Sequence, residues 1–292
     1  MKKILLSIVA MMAVSMGAYA QYAHLYKGST LVNQYSKDVV DRVEFSQTNA
    51  NILNGHEYVE IGGKKWATMN IGATTVAGSC NTCYGNYYAW GFTDTYLSKY
   101  TLSDAKTISS AQWKRNDGYS STSGAYCTGN DTYSKYVSYS EATLEPIDDA
   151  ATAAWGATWR MPKQADFQAL VDACLGSNEN GNIIPTTPTA AITTGGIYWL
   201  SADQTFESAY TGVVGVLFVD KTDISKRVFF PAAGRLDGTK FLYGGEYGTY
   251  RSSSVVISSV SSAYCLGFDP NSVRPESYGS RYYGFSVRPV SD

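Results

Sequence analysis

Histidine is almost missing from these 292 residues: there are two, His24 and His56, and neither stands in a recognisable nucleophile setting. A Ser-His-Asp or Cys-His centre needs a base within hydrogen-bond reach of its nucleophile, so that chemistry has little to work with. No HExxH occurs, and no glycine-rich loop closed by Lys and Ser/Thr, which removes the usual signatures of a zinc peptidase and a phosphate cradle. The adjacent carboxylates Asp148 and Asp149 read as helix-start charges, because a glycosidase pair must flank its bond from opposite sides. Positive charge is not in excess: 23 Lys and Arg face 25 Asp and Glu. Binding to phosphates by counterion release needs a basic patch, so nucleic acid is not an expected partner. Long apolar runs are missing too. A membrane-spanning helix needs about 20 apolar residues. The run from Ile4 to Val14 falls short of that, and nothing downstream approaches it.

That run follows Lys2 and Lys3 and precedes Ala18-Tyr19-Ala20, the layout of a secretory leader cleaved before Gln21. The expected mature chain is exported to the periplasm, the outer surface or the medium, with no transmembrane helix once the leader is removed. Losing Lys2 and Lys3 but no acid leaves 21 basic against 25 acidic residues, a net charge of −4. Gln21 at the new N-terminus offers no thiol for a lipoprotein-type anchor. All five cysteines follow the cleavage site, where an oxidising compartment allows disulfides, and an odd count leaves at least one unpaired. Cys80 and Cys83 form a Cys-x-x-Cys, read as a local disulfide across a loop. The alternatives are a redox centre or half a zinc site, but no second Cys-x-x-Cys or His pair completes one. No metal or other cofactor is expected.

Along the chain, short β-forming runs at His24 to Tyr26, Thr30 to Val32 and Val43 to Phe45 suggest a small β-rich N-terminal segment over 21–55. Polar, turn-rich residues from Asn49 to Gly55 mark a boundary, and the main domain is expected over 56–292. Two helices stand out within it. Ile147 to Trp155 has acidic residues in its first turn, alanines in its middle and Gly156 as its stop. The second opens at Pro162 and carries Phe167, Leu170, Val171 and Cys174 at helical spacing before Gly176, which makes Cys174 a core thiol. Beyond Gly195, runs at Ile197 to Leu200, Gly212 to Val219, Arg227 to Phe230 and Ala263 to Phe268 read as short strands. Two central helices followed by many short strands and long loops make an α+β fold. Trp66, Trp90, Trp155, Trp159 and Trp199 are expected in its core.

Five strings carry a family resemblance: WATMNIGATT (Trp66 to Thr75), YGNYYAWG (Tyr84 to Gly91), WRMPKQADFQAL (Trp159 to Leu170), VFFPAAGRLDG (Val228 to Gly238) and GFSVRPV (Gly284 to Val290). They resemble the domains of the Fibrobacter succinogenes major paralogous family of Bacteroidetes-type bacteria, and the N-terminal segment is similar to one that often precedes such domains. The resemblance implies a C-type-lectin-like fold. That fold is related to formylglycine-generating-enzyme domains and to the variable receptor-binding proteins of diversity-generating retroelements. The enzymes of that group use reactive cysteines late in the chain, an arrangement that Cys265 alone does not reproduce. Calcium-dependent lectins use a Glu-Pro-Asn or Gln-Pro-Asp loop plus Trp-Asn-Asp. Here Glu145-Pro146-Ile147 and Asp269-Pro270-Asn271 are partial echoes, and Trp-Asn-Asp does not occur.

The stretch Tyr250 to Gly284 is similar to the variable stretches of such proteins. Val255, Val256, Ile257, Cys265, Gly267, Asp269, Ser272, Arg274, Ser277, Tyr278, Gly279, Ser280 and Tyr283 are each reachable from an AAC codon by changing adenines alone. Glu276 is not. Arg251 departs from the family's usual tryptophan. Ten of the twenty-nine residues from Ser252 to Ser280 are serine, so the stretch is expected to be mostly solvated. Its tyrosines interleaved with Ser and Gly match the chemistry of paratopes, where tyrosine gives rigid contact area and small polar residues adapt. A polar β-rich edge with surface tyrosines is the other reading. Alternation from Ala263 to Phe268 predicts Tyr264, Leu266 and Phe268 buried and Cys265, Gly267 and Asp269 facing outward. The expected ligand is an unknown protein or glycan at a surface. Its candidate contacts are Arg251, Val255, Ile257, Cys265, Gly267, Asp269, Ser272, Arg274, Ser277, Tyr278, Ser280, Tyr282 and Tyr283. A structural surface module without a ligand is the alternative.

Overall fold

The computed structural model describes residues 51–76, 80–93, 133–176, 183–237 and 240–292, together with strand backbones at 4–5, 22–27, 30–36 and 43–44. The chain divides into two units, Met1–Asn51 and Ile52–Asp292. The first holds β1 (Ile4–Leu5), β2 (Tyr22–Lys27), β3 (Thr30–Ser36) and β4 (Val43–Glu44). There β2 and β3 pair antiparallel, and β1 pairs in parallel with β4. Apart from β1, the expected leader Met1–Ala20 lies outside the described residues.

The second unit opens at the boundary with β5 (Asn51–Leu53), β6 (His56–Ile61) and β7 (Lys64–Ala67), then the single turn α1 (Cys80–Cys83) and β8 (Tyr87–Tyr88). Next come the helices α2 (Ala150–Trp155) and α3 (Gln164–Leu175). Strands β9 (Gly196–Leu200), β10 (Gly215–Val219) and β11 (Arg227–Pro231) form an antiparallel three-stranded sheet. They are followed by β12 (Ala233–Asp237), β13 (Lys240–Gly244), β14 (Gly248–Val255), β15 (Ser262–Asp269) and β16 (Ser272–Ser280). These run in the order β13-β12-β14-β15-β16. Two short strands end the unit: β17 (Phe285–Ser286), bridging β14 to β8, and β18 (Val290–Ser291), pairing with β7. The last strand therefore closes the unit onto its first sheet, Val290 opposite Trp66. Among the described residues strand is the dominant element, about 40% against about 15% helix, compatible with the α+β class.

The helix cues hold with small shifts at the starts. Asp149 caps α2 rather than lying inside it: its carboxylate accepts from the N–H groups of Ala151 and Thr152, each at 2.9 Å, and also from Met161. Gly156 ends that helix at φ +90°. Pro162 precedes the cap of α3, where the backbone N–H of Lys163 donates to the Asp166 carboxylate at 2.7 Å. Arg160 donates to the same carboxylate at 2.6 Å. All four apolar positions of α3 are buried, against Ile197, Trp199, Val216, Phe218, Val228, Phe230, Leu266 and Phe268. Burying one such large side chain stabilises the fold by about 1.5–3 kcal/mol. The opposite face of the three-stranded sheet is also covered, by Tyr84, Tyr87, Ala233 and Leu236. Its strands therefore read as continuous apolar runs instead of alternating ones.

Four of the five expected core tryptophans are buried. Trp155 is the exception. It is half-buried at the end of α2 and stacks on the His56 ring at 3.6 Å. Three of the four buried indoles find acceptors, Trp66 in Ile61 O, Trp90 in Ser252 O and Trp159 in Leu53 O.

The expectation of a mostly solvated Ser252 to Ser280 is corrected at several points: Ser252, Ser253, Val255, Val256 and Ser272 are buried. Ser253 N donates to Pro162 O at 2.7 Å, which draws the serine run beneath the start of α3. The register reading of β15 is half right. Leu266 and Phe268 enter the main core, but Tyr264 is only half-buried, and Cys265 and Gly267 are buried on the other face. On that face Cys265 lies opposite Arg251 of β14, whose guanidinium sits over the Phe285 ring. A bulge between Cys265 and Gly267 also breaks the ladder.

Three arginines are wholly buried, Arg251, Arg281 and Arg288. Arg288 donates through Nε to Asn70 Oδ1 at 2.8 Å, through Nη1 to Ala67 O at 2.9 Å and through Nη2 to Phe229 O at 2.8 Å. Its guanidinium lies 4.6 Å from the Phe230 ring centre. Burial pulls its pKa down to about 10, so it stays cationic at neutral pH. Arg281 donates to Tyr136 O at 2.6 Å and lies over the Trp90 and Tyr133 rings.

Replacing Arg288 by Met keeps much of the volume but leaves three buried oxygens without donors. Arg288→Met is expected to destabilise the unit by about 3–5 kcal/mol, read from the midpoint of a denaturant titration. A loss under about 1 kcal/mol would show that these oxygens find other donors.

Candidate binding groove on the C-terminal strands

Among the described residues, an open groove brings together chemically distinctive side chains in its walls. It holds about 240 Å³ and is lined by Arg235, Tyr243, Tyr247, Thr249, Cys265, Ser277, Tyr278, Gly279, Tyr283 and Phe285. The β12–β13 hairpin supplies one wall, β15 and β16 another, and the turn leading to β17 the third.

Backbone constraints place the first wall. Gly234 sits at φ +61°, and a Cβ there would lie 2.3 Å from Leu242 O, so only glycine lets β12 bend at this point and present Arg235. Tyr243 is held at φ +63°, a left-handed conformation costly for a bulky residue, and is half exposed at 50%. The Arg235 guanidinium lies over two rings, 5.3 Å from Tyr243 and 4.7 Å from Tyr283. Tyr278, directly across β15–β16 from Tyr264, is 64% exposed. At one end Arg274 donates to Tyr247 Oη at 2.9 Å and to Asp269 Oδ2 at 3.2 Å.

The thirteen candidate contacts separate cleanly. Ser277, Tyr278 and Tyr283 line the groove, and Arg274 is exposed beside it with half-buried Asp269. Ser280 and Tyr282 are half-buried nearby, the Tyr282 ring 4.7 Å from that of Tyr283. Cys265 and Gly267 are buried below it: Cys265 forms floor, and a Cβ on Gly267 would meet Tyr247 Oη at 2.7 Å. Ser272 is buried and donates to Asp269. Val255 belongs to an inner cluster with Ala263 and Trp90, and half-buried Ile257 packs on that cluster. Arg251 is corrected outright. Its Nη2 donates to the carbonyls of Ser280, Arg281 and Tyr283, and the guanidinium lies 3.9 Å from the Phe285 ring centre, inside the fold. It has no surface to offer a ligand.

Arg235, Tyr243 and Tyr247 escaped the sequence reading. The tyrosine- and glycine-rich run Phe241 to Gly248 is the local signal for Tyr243 and Tyr247, and Arg235 lies in the string Val228 to Gly238; both precede the stretch Tyr250 to Gly284.

The cysteines divide by what is described. Cys83, Cys174 and Cys265 are buried, while the Cys80 side chain and Cys127 lie outside the described residues, and with them the local-disulfide reading. Burial pushes the Cys265 thiol up to about 11 and the Cys174 thiol up to about 12. Neither carries appreciable thiolate at neutral pH, so neither is poised as a nucleophile. Among the described residues no group of three or more His, Cys, Asp or Glu side chains is arranged to hold a metal ion. No described helix is long and apolar enough to cross a membrane. Comparison with protein-family models, curated proteins and solved structures finds no match.

Iodoacetamide at about pH 8 is expected to leave Cys174 and Cys265 unmodified in the folded protein and to label both in denaturant, as read by peptide mass spectrometry. Labelling of native Cys265 at the rate of a free thiol would contradict its burial.

Proposed function

We propose that this protein is an exported, surface-associated or secreted binding module with a C-type-lectin-like domain, which takes a protein or glycan ligand in the tyrosine groove. One observation carries the reading: two exposed tyrosines, Tyr243 and Tyr278, flank an open groove in which an arginine lies over two aromatic rings. Exposed aromatic side chains around a concavity suit recognition, and tyrosine and arginine are favoured at binding hot spots. The strained backbone at Tyr243 supports the same reading, since such conformations gather at ligand clamps.

The lectin-like part of the proposal rests on the five sequence strings and on the chain path. The last strand of the unit pairs with its opening sheet, two helices precede the strand-rich half, and long connections lie between. Membership of the Fibrobacter succinogenes major paralogous family is proposed on the same strings. Export is proposed from the leader-like first twenty residues. Diversification by a retroelement is proposed with it, and its targets at the surface are exposed Arg274 and Tyr278 and half-buried Ser277, Ser280 and Tyr283. Changes at Val255, Cys265, Gly267 or Ser272 would instead act on packing. No catalytic role is proposed for any residue.

The test is a screen of the purified protein against arrayed glycans and candidate surface proteins, repeated with Tyr243→Ala and Tyr278→Ala. Each variant is expected to weaken the ligand by about tenfold or more, with the melting temperature held within about 2 °C. A screen that finds no ligand, together with a melting temperature lowered well beyond about 2 °C in both variants, would instead make the tyrosines structural and the protein a surface module without a ligand.

A further inference from the structure

Every other described arginine donates to an oxygen of the protein. Arg160 and Arg227 reach carboxylates, Arg274 reaches a carboxylate and a phenol, and the three buried arginines reach backbone carbonyls. The Arg235 guanidinium has no hydrogen-bond or ion-pair partner among the described residues, and its Nε is buried. The Tyr243 and Tyr283 rings hold its plane and direction without using its donors. A guanidinium fixed in this way is a rigid fork of N–H groups, and the fork matches the two oxygens of a carboxylate. An acceptor entering the groove would relieve the buried Nε, which gives the ligand an electrostatic reason to bind there. The neighbouring cation, Arg274, is already engaged by Asp269 and does not compete.

We propose that Arg235 anchors a carboxylate of the ligand, and that this carboxylate is an Asp or Glu side chain of a partner protein. The inference rests on the groove being the ligand site. The lining favours a protein over an acidic sugar, and about 240 Å³ suffices for a single protruding side chain. The surrounding Ser277, Tyr278 and Gly279 form a Tyr/Ser/Gly surface of the kind that closes over a protein loop.

The experiment titrates the full chain with three probes, monitored by heteronuclear NMR. They are acetyl-Gly-Glu-Gly-amide, its Gln counterpart and free glucuronate. The Glu peptide is expected to bind about tenfold more tightly than the Gln peptide. Arg235→Gln should abolish that preference. Arg235→Lys keeps the charge without the fork, and should retain only part of it. Should Arg235→Gln fail to fold, the lysine variant still decides the matter. Equal binding of the two peptides, no binding of either, or a preference that survives in both variants would overturn the anchor. Tighter binding of glucuronate than of the Glu peptide would overturn the protein assignment in favour of an acidic sugar.

The two proposals fail differently. A screened ligand weakened by Tyr278→Ala but not by Arg235→Gln leaves the groove standing and removes the carboxylate anchor. A ligand indifferent to both removes the groove.

Discussion

Irregular backbone inside a domain needs donors for carbonyls that no ladder reaches, and buried arginine guanidinium groups meet that need here. Arg288, in the string Gly284 to Val290, ties together Ala67 and Asn70 from the string Trp66 to Thr75 and Phe229 from the string Val228 to Gly238. Arg281 holds the carbonyls of Lys135 and Tyr136, and Arg251 those of the turn from Ser280 to Tyr283. Each guanidinium also lies over a ring, Phe230, Trp90 and Phe285 respectively. A planar, weakly hydrated cation with several donors can do this where lysine cannot. All three belong to the last forty-two residues, so the C-terminal stretch is the clamp on the earlier loops as well as the wall of the groove.

That double duty shapes the site. The inward side chains of β14, β15 and the β16–β17 turn are committed to packing, from Tyr250 and Leu266 to Cys265 and Arg251. The outward ones, Arg274, Glu276 and Tyr278, are not. Binding chemistry can vary on the rim while the floor stays fixed, as in other scaffolds where rigid elements carry adaptable loops.

Local signals in the sequence were legible where local physics decides. Phe167, Leu170, Val171 and Cys174 at helical spacing mark the buried face of α3, and Gly156 and Gly176 mark the helix stops. The starts slipped by two or three residues because the Asp149 and Asp166 carboxylates are used as caps. What misled the reading was non-local. Serines at 252 and 253 look solvated by composition, yet Trp90 and Pro162 draw that backbone inside. Cys265 looks outward by alternation, but Arg251 lies opposite it with its guanidinium over the Phe285 ring. Half of the groove was visible in Ser277, Tyr278 and Tyr283. The other half comes from a hairpin whose glycine bend at Gly234 is meaningful only once Leu242 is known to lie beside it.

The central claim is a framework fixed by buried arginines that carries a replaceable rim. Saturation mutagenesis of residues 235–290 on a display host, sorted for protease resistance, tests it most directly. The account predicts that most substitutions at Tyr243, Arg274, Glu276 and Tyr278 leave resistance intact, whereas nearly all at Arg251, Arg281 and Arg288 abolish it. Equal tolerance at the two sets of positions, or collapse on changing the rim, would contradict it.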